Sequence, residues 1–156
     1  MQKEEKFMQR AIELAMENID KGGGPFGAVI VRNNEIVAEA SNKVTEDNDP
    51  TAHAEVVAIR KAADKLKKFS LEDCEIYASC EPCPMCLSAI YWARIPVVFY
   101  AADRHDAEEA GFDDSHIYNQ LAKSEEEREI RMTQLKPDLT PEVFKKWNEH
   151  EDKARY

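Results

Sequence analysis

The sequence lacks any apolar stretch of about 18 or more residues, the length that a membrane-spanning helix requires. Its first ten residues, MQKEEKFMQR, are charged, and neither an apolar h-region nor a small-residue cleavage site follows them. We therefore expect no membrane segment and no secretory signal. The protein is expected to be cytoplasmic.

Positive charge is also scarce. The chain has 21 Lys and Arg against 31 Asp and Glu, which gives a formal net charge of −10. Binding to nucleic acid requires clustered Lys and Arg for the phosphates, so this composition argues against a nucleic-acid partner. The segment from Asp103 to Glu129 holds ten acidic and three basic residues, a net charge of −7. Such a segment is typical of a solvated face, and it would repel a polyanion.

Internal repeats, low-complexity runs and linkers are absent as well. The 156 residues are 43% hydrophobic and 33% charged, which is typical of a soluble globular protein with one core. We therefore predict a single domain over residues 1–156.

The hydrophobic pattern alternates between helical and strand-like periods. An N-terminal amphipathic helix ends at Gly22, and a hairpin turns at Asn33-Asn34. Asp49 to Thr51 predict the start of a second helix that extends to about Lys68. The remaining predicted elements are the strand CEIYAS, the helix EPCPMCLSAIYWARIP, the strand VVFYAA, a strand at IRMTQL and a C-terminal helix capped by Thr140. This order predicts a layered α/β domain with a parallel portion in its sheet.

Cysteine is rare, but three of the four cysteines are evenly spaced in SCEPCPMC. In a cytosolic chain, close cysteines favour metal or redox chemistry over disulfides. Cys83 and Cys86 at a helix start share one face, and His53 of PTAHAEV lies at the predicted start of the other helix. Three such ligands leave one position of a tetrahedral zinc ion open for water. We predict one catalytic zinc ion per chain.

Glu55 stands two residues after His53 and is not needed as a ligand. Beside a zinc-bound water it can take a proton and deliver it to a leaving group. Cys80 offers a second CxxC pair with Cys83, but Pro82 directly before Cys83 favours Cys83 and Cys86 as the ligands. We interpret Cys80 and Cys74 as small apolar or near-site residues.

The combination of HAE with PCPMC matches the H-x-E…P-C-x-x-C signature of zinc-dependent base deaminases. These residues resemble the cytidine deaminase-like superfamily. The resemblance implies a three-layer α/β/α fold with a central five-stranded mixed sheet. Within the superfamily, GGPFGAVIV, SCEPCPMCLSAIYWAR and AGFDDS are most similar to the bacterial branch that deaminates guanine to xanthine and ammonia, a step of purine metabolism.

Carried over by position, the resemblance implies a complete set of site residues. His53, Cys83 and Cys86 bind zinc, Glu55 is the main proton shuttle, and Asp114 assists proton transfer and holds the base. The base would be bound by Phe26, Asn42, the backbone of Ala54, Trp92 and Tyr156. The resemblance also implies a homodimer in which residues 130–156 can cross to the partner, so that Tyr156 closes the partner's pocket.

Three alternatives remain open. A tRNA adenosine deaminase shares the motif pair but should carry a basic face. A cytosine or nucleotide deaminase acting on a phosphorylated substrate would need a phosphate clamp, for which Arg94 and Arg104 are candidates without a cluster. A structural zinc module would require a fourth protein ligand, for which Cys80 is the only nearby candidate, and would have no use for Glu55.

Overall fold

The computed structural model describes residues 2–156. They form two compact units, the first ending at Ile117 and the second comprising Tyr118–Tyr156. In chain order the elements are α1 (Lys3–Asp20), β1 (Gly27–Arg32), β2 (Glu35–Ser41), α2 (Val44–Asp47), α3 (Ala54–Leu66), β3 (Glu75–Cys80), α4 (Pro84–Trp92), β4 (Val97–Ala102), α5 (Arg104–Glu109), α6 (Asp114–Ala122), a 3-10 turn (Glu125–Glu127) and α7 (Thr140–Glu149).

The first unit is built on a mixed sheet with the strand order β2-β1-β3-β4. β1 is antiparallel to both β2 and β3, whereas β3 and β4 are parallel and joined through α4. The predicted α/β class with a parallel portion is therefore confirmed. The predicted number of five strands is not confirmed, because residues 2–156 contain four.

The sheet is buried on both faces, as the alternation of side chains along β1 shows. Ile30 packs with Ala58 of α3 and Ile90 of α4 in one apolar cluster. On the opposite face, Val29 and Val31 pack with residues of α1 in a second cluster, which also contains Phe7, Ala11 and Tyr77. Because side chains alternate between the faces of a strand, one strand supplies both clusters. Helices thus cover the two faces of the sheet in the first unit.

Local turn chemistry explains where these elements end. Asn33 and Asn34 both adopt positive φ, at 50° and 68°, and form the predicted hairpin turn between β1 and β2. α1 ends at Asp20, and Gly22 follows with a φ of 85° and donates its N–H to the carbonyl of Ile19.

Two helix starts were predicted at the wrong residues. α3 begins at Ala54 with His53 as its N-cap, rather than at Asp49 to Thr51. Asp49 instead accepts hydrogen bonds from the backbone and hydroxyl of Thr51, and this local turn competes with helix formation. α7 has Leu139 as its N-cap and Thr140 as its first residue, so Thr140 is not the cap.

The predicted strand at residues 130–135 is not present in the described part of the chain. Ile130 and Leu135 are 78% and 81% exposed. A strand exists only when a neighbour pairs with its backbone, and its sequence pattern does not supply that neighbour. Other large apolar side chains of the second unit are also exposed, namely Leu139, Val143, Phe144 and Trp147.

A helix that is both long enough and apolar enough to span a membrane is not found among residues 2–156.

Candidate active site

The two sequence motifs lie at the starts of neighbouring helices. His53 is the N-cap of α3 and Cys83 is the N-cap of α4, and neither side chain caps its own helix. Pro84 is the first residue of α4, where its missing N–H and fixed φ cost nothing. Because α3 and α4 pack on the same face of the sheet, their N-termini bring these side chains together.

His53, Cys83 and Cys86 form the one group of possible metal ligands found in the described residues, with ligand atoms within 4.8 Å of one another. The sulfurs of Cys83 and Cys86 lie 3.5 Å and 3.4 Å from Nδ1 of His53. Ordinary Zn–S and Zn–N bonds at a tetrahedral angle would place sulfur and nitrogen about 3.6 Å apart. The donor set therefore fits zinc in both chemistry and spacing.

The protonation of the two thiols is linked. A hydrogen bond from Cys86 and one with His53 hold the pKa of Cys83 well below the usual thiol range. The pKa of Cys86 is raised, because its proton is held by Cys83 and because the thiol is buried beside Glu55. The lowered pKa of Cys83 favours its thiolate form at the start of α4. A thiolate is the form of cysteine that binds a metal cation.

The two remaining cysteines lie outside the ligand group. The Cys80 thiol approaches the carbonyl oxygen of Asp103 at 3.6 Å, and burial raises its pKa to about 11. The Cys74 thiol approaches a carboxylate oxygen of Asp73 at 3.6 Å. With Cys80 engaged elsewhere, the group offers three protein ligands to a metal ion. That number is typical of catalytic rather than structural zinc.

Glu55 is almost completely buried beside the ligands, with 8% of the residue exposed. The Oε2 atom of its carboxyl group lies 3.4 Å from the sulfur of Cys86. Burial is the main cause of a raised pKa for this carboxyl group. A carboxyl group whose pKa is moved toward neutrality can both accept and release a proton, as a shuttle must.

A cavity of about 520 Å³ opens onto the ligand group, a size typical of small-molecule sites. His53, Glu55 and Cys83 line it, and so does Asp114, the first residue of α6. Burial also raises the pKa of Asp114, with the neighbouring Cys83 as a second cause. Two carboxyl groups with raised pKa values therefore face one cavity.

Phe26 and Phe112 form an apolar wall of this cavity. Their rings meet edge to face, with centroids 4.9 Å apart and planes at 83°. Phe26 was predicted as a wall, whereas Phe112 was missed. The available signal for Phe112 was its place in AGFDDS, directly before the two aspartates.

Asn42 lines the same cavity at the end of β2. Its Oδ1 accepts a hydrogen bond from the backbone N–H of Val44 over 3.1 Å. With the oxygen engaged, the side-chain nitrogen is the group that can donate to a ligand. Ala54 is the first residue of α3 and is 1% exposed, and its predicted backbone contact with a ligand stays a prediction.

Trp92 and Tyr156 are not among the residues that line this cavity. Trp92 is the last residue of α4 and is 64% exposed, and Tyr156 belongs to the second unit and is 72% exposed. Their predicted contacts with a ligand stay predictions.

Arg104, one of the two candidate phosphate clamps, pairs with Glu81. Its Nη2 donates to Oε1 of Glu81 and its backbone N–H donates to Oε2, each over 3.0 Å. Arg94, the other candidate, follows α4 and has a positive φ of 61°. Neither arginine is among the residues that line the cavity.

Comparison with known proteins gives concordant results. The family profile described as "Cytidine and deoxycytidylate deaminase zinc-binding region" matches residues 1–102. The chain is 56% identical to the guanine deaminase of Bacillus subtilis strain 168 over 155 residues, which cover 97% of this chain and 98% of that protein. A crystal structure of Bacillus subtilis guanine deaminase superposes with a TM-score of 0.95 at 54% identity, covering 97% of this chain and 98% of that one. The tRNA-specific adenosine deaminase of Aquifex aeolicus is 44% identical but covers 63% of this chain and 65% of its own length.

Proposed function

The chain belongs to the cytidine and deoxycytidylate deaminase family, and from that premise we propose that it hydrolyses guanine to xanthine and ammonia. The observation that carries this proposal is the similarity to a guanine deaminase over nearly the whole chain, whereas the similarity to an adenosine deaminase covers less than two thirds of it. We infer that His53, Cys83 and Cys86 bind one zinc ion.

Zinc held by these ligands would lower the pKa of a water molecule in its open position and present that water to the ring. Glu55 is the proton carrier of the reaction. Its buried carboxylate takes a proton from the attacking water and delivers it to the amino nitrogen at C2, which leaves as ammonia. The low exposure of Glu55 keeps bulk solvent from competing for that proton.

Recognition of the base follows from the chemistry of the cavity lining. Phe26 and Phe112 provide an apolar wall for a flat ring. The Asn42 amide donates to an acceptor of the purine, since its oxygen is bonded to Val44. Asp114 accepts from the N1–H and the 2-amino group of guanine, which lie on one edge of the base. The polar groups of the cavity thus match the donors and acceptors of guanine.

Two rival substrates fit less well. A tRNA would meet a chain with a net charge of −10, and a nucleotide would find Arg104 already paired with Glu81. A panel of guanine, adenine, cytosine, cytidine and adenosine, followed spectrophotometrically, separates these possibilities. We expect turnover of guanine. Turnover of cytosine or cytidine without guanine would overturn the proposal.

Asp114→Asn is expected to lower kcat/KM for guanine by about 100-fold, because the amide cannot carry a proton and loses one acceptor. Zinc content should stay unchanged, since Asp114 is not one of the ligands. Steady-state kinetics with metal analysis measures both quantities. Asp113→Asn is the matched control, because the neighbouring Asp113 does not line the cavity. Equal effects of the two substitutions would contradict the assigned role.

We further propose that the protein is a homodimer in which residues 130–156 cross to the partner and Tyr156 closes the partner's cavity. Exposed apolar side chains support this proposal in both units. Tyr91 and Trp92 at the end of α4 are 73% and 64% exposed, and Leu135 and Phe144 in the second unit are 81% and 72% exposed. Apolar exposure on this scale is typical of a surface that another chain covers. Trp92 would then act at the interface.

Complementation tests the crossing of the tail. We expect Glu55→Gln and Tyr156→Ala each to lose activity alone, and a refolded mixture of the two to regain part of it. In a mixed dimer, one site would receive a native Glu55 from one chain and a native Tyr156 from the other. Glu55→Gln mixed with Asp114→Asn is the control, because both groups face the cavity of a single chain. Sedimentation of a monomer, or no recovery in the test mixture, would contradict the proposal.

A further inference from the structure

Asn18 is a buried polar residue to which the proposed reaction gives no role. It lies near the end of α1 and is 3% exposed, while the helix buries apolar residues such as Ala11 and Ala15 along the same face. Asparagine is a poor helix former, and burial of its amide is costly unless the amide is hydrogen-bonded. Its presence at this position therefore needs a specific partner.

Asn18 bonds to two separate segments at the edge of the cavity. Its Nδ2 donates to the carbonyl oxygen of Gly24 and to the carbonyl oxygen of Asn42, each over 2.8 Å. Both Gly24 and Asn42 line the cavity. The two N–H groups of one amide thus tie the glycine loop to the residue after β2.

Both backbone polar groups of Asn42 and its side-chain oxygen are hydrogen-bonded. Its N–H donates to the carbonyl of Phe26, its carbonyl accepts from Asn18, and its side-chain oxygen accepts from Val44. A side chain at Gly23 would collide with the Asn18 amide. A Cβ at Gly24 would lie 3.2 Å from Cγ of Asn42, which shows how closely the loop packs on it.

We propose that Asn18 is a positioning residue that directs the Asn42 amide nitrogen into the cavity and thereby sets the affinity for the purine. This inference rests on guanine as the substrate. Without the Asn18 amide, the carbonyls of Gly24 and Asn42 lose their shared donor, and the loop and Asn42 can move independently. Zinc and Glu55 are untouched by this change, so binding of the base is affected and the proton transfers are not.

A purely structural role predicts something different. The backbone carbonyl of Asn18 accepts from the N–H groups of Lys21 and Gly23 and so ends the helix, but that function does not depend on the side chain. If the side chain only stabilised the end of α1, its removal would lower the melting temperature without a selective change in KM.

The test is a double-mutant cycle with Asn18→Ala, Asn42→Ala and the double variant, measured by steady-state kinetics on guanine. We expect Asn18→Ala to raise KM roughly 5- to 50-fold, as the loss of a buried hydrogen-bond partner does. The value of kcat and the zinc content should change less than about 2-fold. In the Asn42→Ala background, Asn18→Ala should add little, because coupled residues are not additive.

Ser79→Ala is the matched control. Ser79 is another buried polar residue, and its hydroxyl accepts from Gly27, which does not line the cavity. The Ser79→Ala substitution should lower the melting temperature of the protein and leave KM for guanine unchanged. Asn18→Asp, which keeps the side-chain shape but has no N–H donor, should raise KM if Asn18→Ala does not fold.

An unchanged KM in a folded Asn18 variant, or additive effects in the double variant, would overturn the inference while leaving guanine deamination intact. A wild-type chain that does not turn over guanine would overturn both proposals. The wild-type rate therefore separates the two failures.

Discussion

Glu55→Gln is expected to keep zinc and to lower kcat on guanine by about 10²- to 10⁴-fold. The amide has nearly the same volume as the carboxyl group, so the packing around this buried position is conserved. It cannot accept a proton from water or give one to the leaving amine. A variant that binds zinc yet turns over slowly would identify Glu55 as the proton carrier.

Glu35→Gln is the matched control for this substitution. Glu35 is an exposed carboxylate at the start of β2, remote from the ligand group, and its replacement should leave both zinc content and rate at wild-type values. A rate near wild type for Glu55→Gln would contradict the shuttle role. Loss of zinc in Glu55→Gln would instead place the carboxylate in the metal site.

Cys86→Ser is expected to abolish stoichiometric zinc binding and to lower activity by several orders of magnitude. Cys86 is fully buried, and its sulfur lies 3.4 Å from Nδ1 of His53, so no other side chain of the ligand group can replace it. A serine hydroxyl is a much weaker zinc ligand than a thiolate, and only two good ligands would remain. Metal analysis and the guanine assay on the same preparation measure both effects.

Cys80→Ser is the control that the chain itself offers, since Cys80 lies in the same CEPCPMC run but outside the ligand group. We expect this variant to retain zinc and activity.

Removal of zinc from the wild-type protein with a chelator should abolish activity, and re-addition of zinc should restore it. Loss of zinc in Cys80→Ser, or full activity of the zinc-free protein, would contradict the assigned ligand set.

The ligand group could be predicted from sequence because it depends on local geometry. A histidine before one helix and two cysteines at i and i+3 of another have few ways to meet, and the predicted pairing brings their ligand atoms within 4.8 Å. The hairpin at Asn33-Asn34 was equally local, and its positive φ angles confirm it. Short-range signals of this kind do not depend on the rest of the fold.

Features that depend on competition between local turns, or on distant neighbours, could not be predicted in the same way. The start of α3 was misplaced by a few residues because Asp49 closes its own turn with Thr51. The strand expected at residues 130–135 depends on a pairing partner that the pattern does not contain. Phe112 became recognisable as a cavity wall only when the fold brought it against Phe26.

The role of Asn18 could not be predicted from the sequence for a third reason. It interrupts the apolar face of α1 and would ordinarily count as an imperfection of the helical pattern. Its importance comes from two carbonyl groups, one of them 24 residues away, at Asn42. Buried polar side chains of this kind become meaningful only when their partners are known.

We propose that a water molecule replaces the 2-amino group of guanine at the zinc site formed by His53, Cys83 and Cys86. This replacement can be tested by incubating the zinc-loaded protein with guanine in water enriched in the heavy oxygen isotope. Mass spectrometry then measures the label in the product, and a separate assay measures ammonia. This replacement predicts xanthine carrying one heavy oxygen at C2 and an equal amount of ammonia. Unchanged guanine after prolonged incubation, or xanthine without the label, would contradict it.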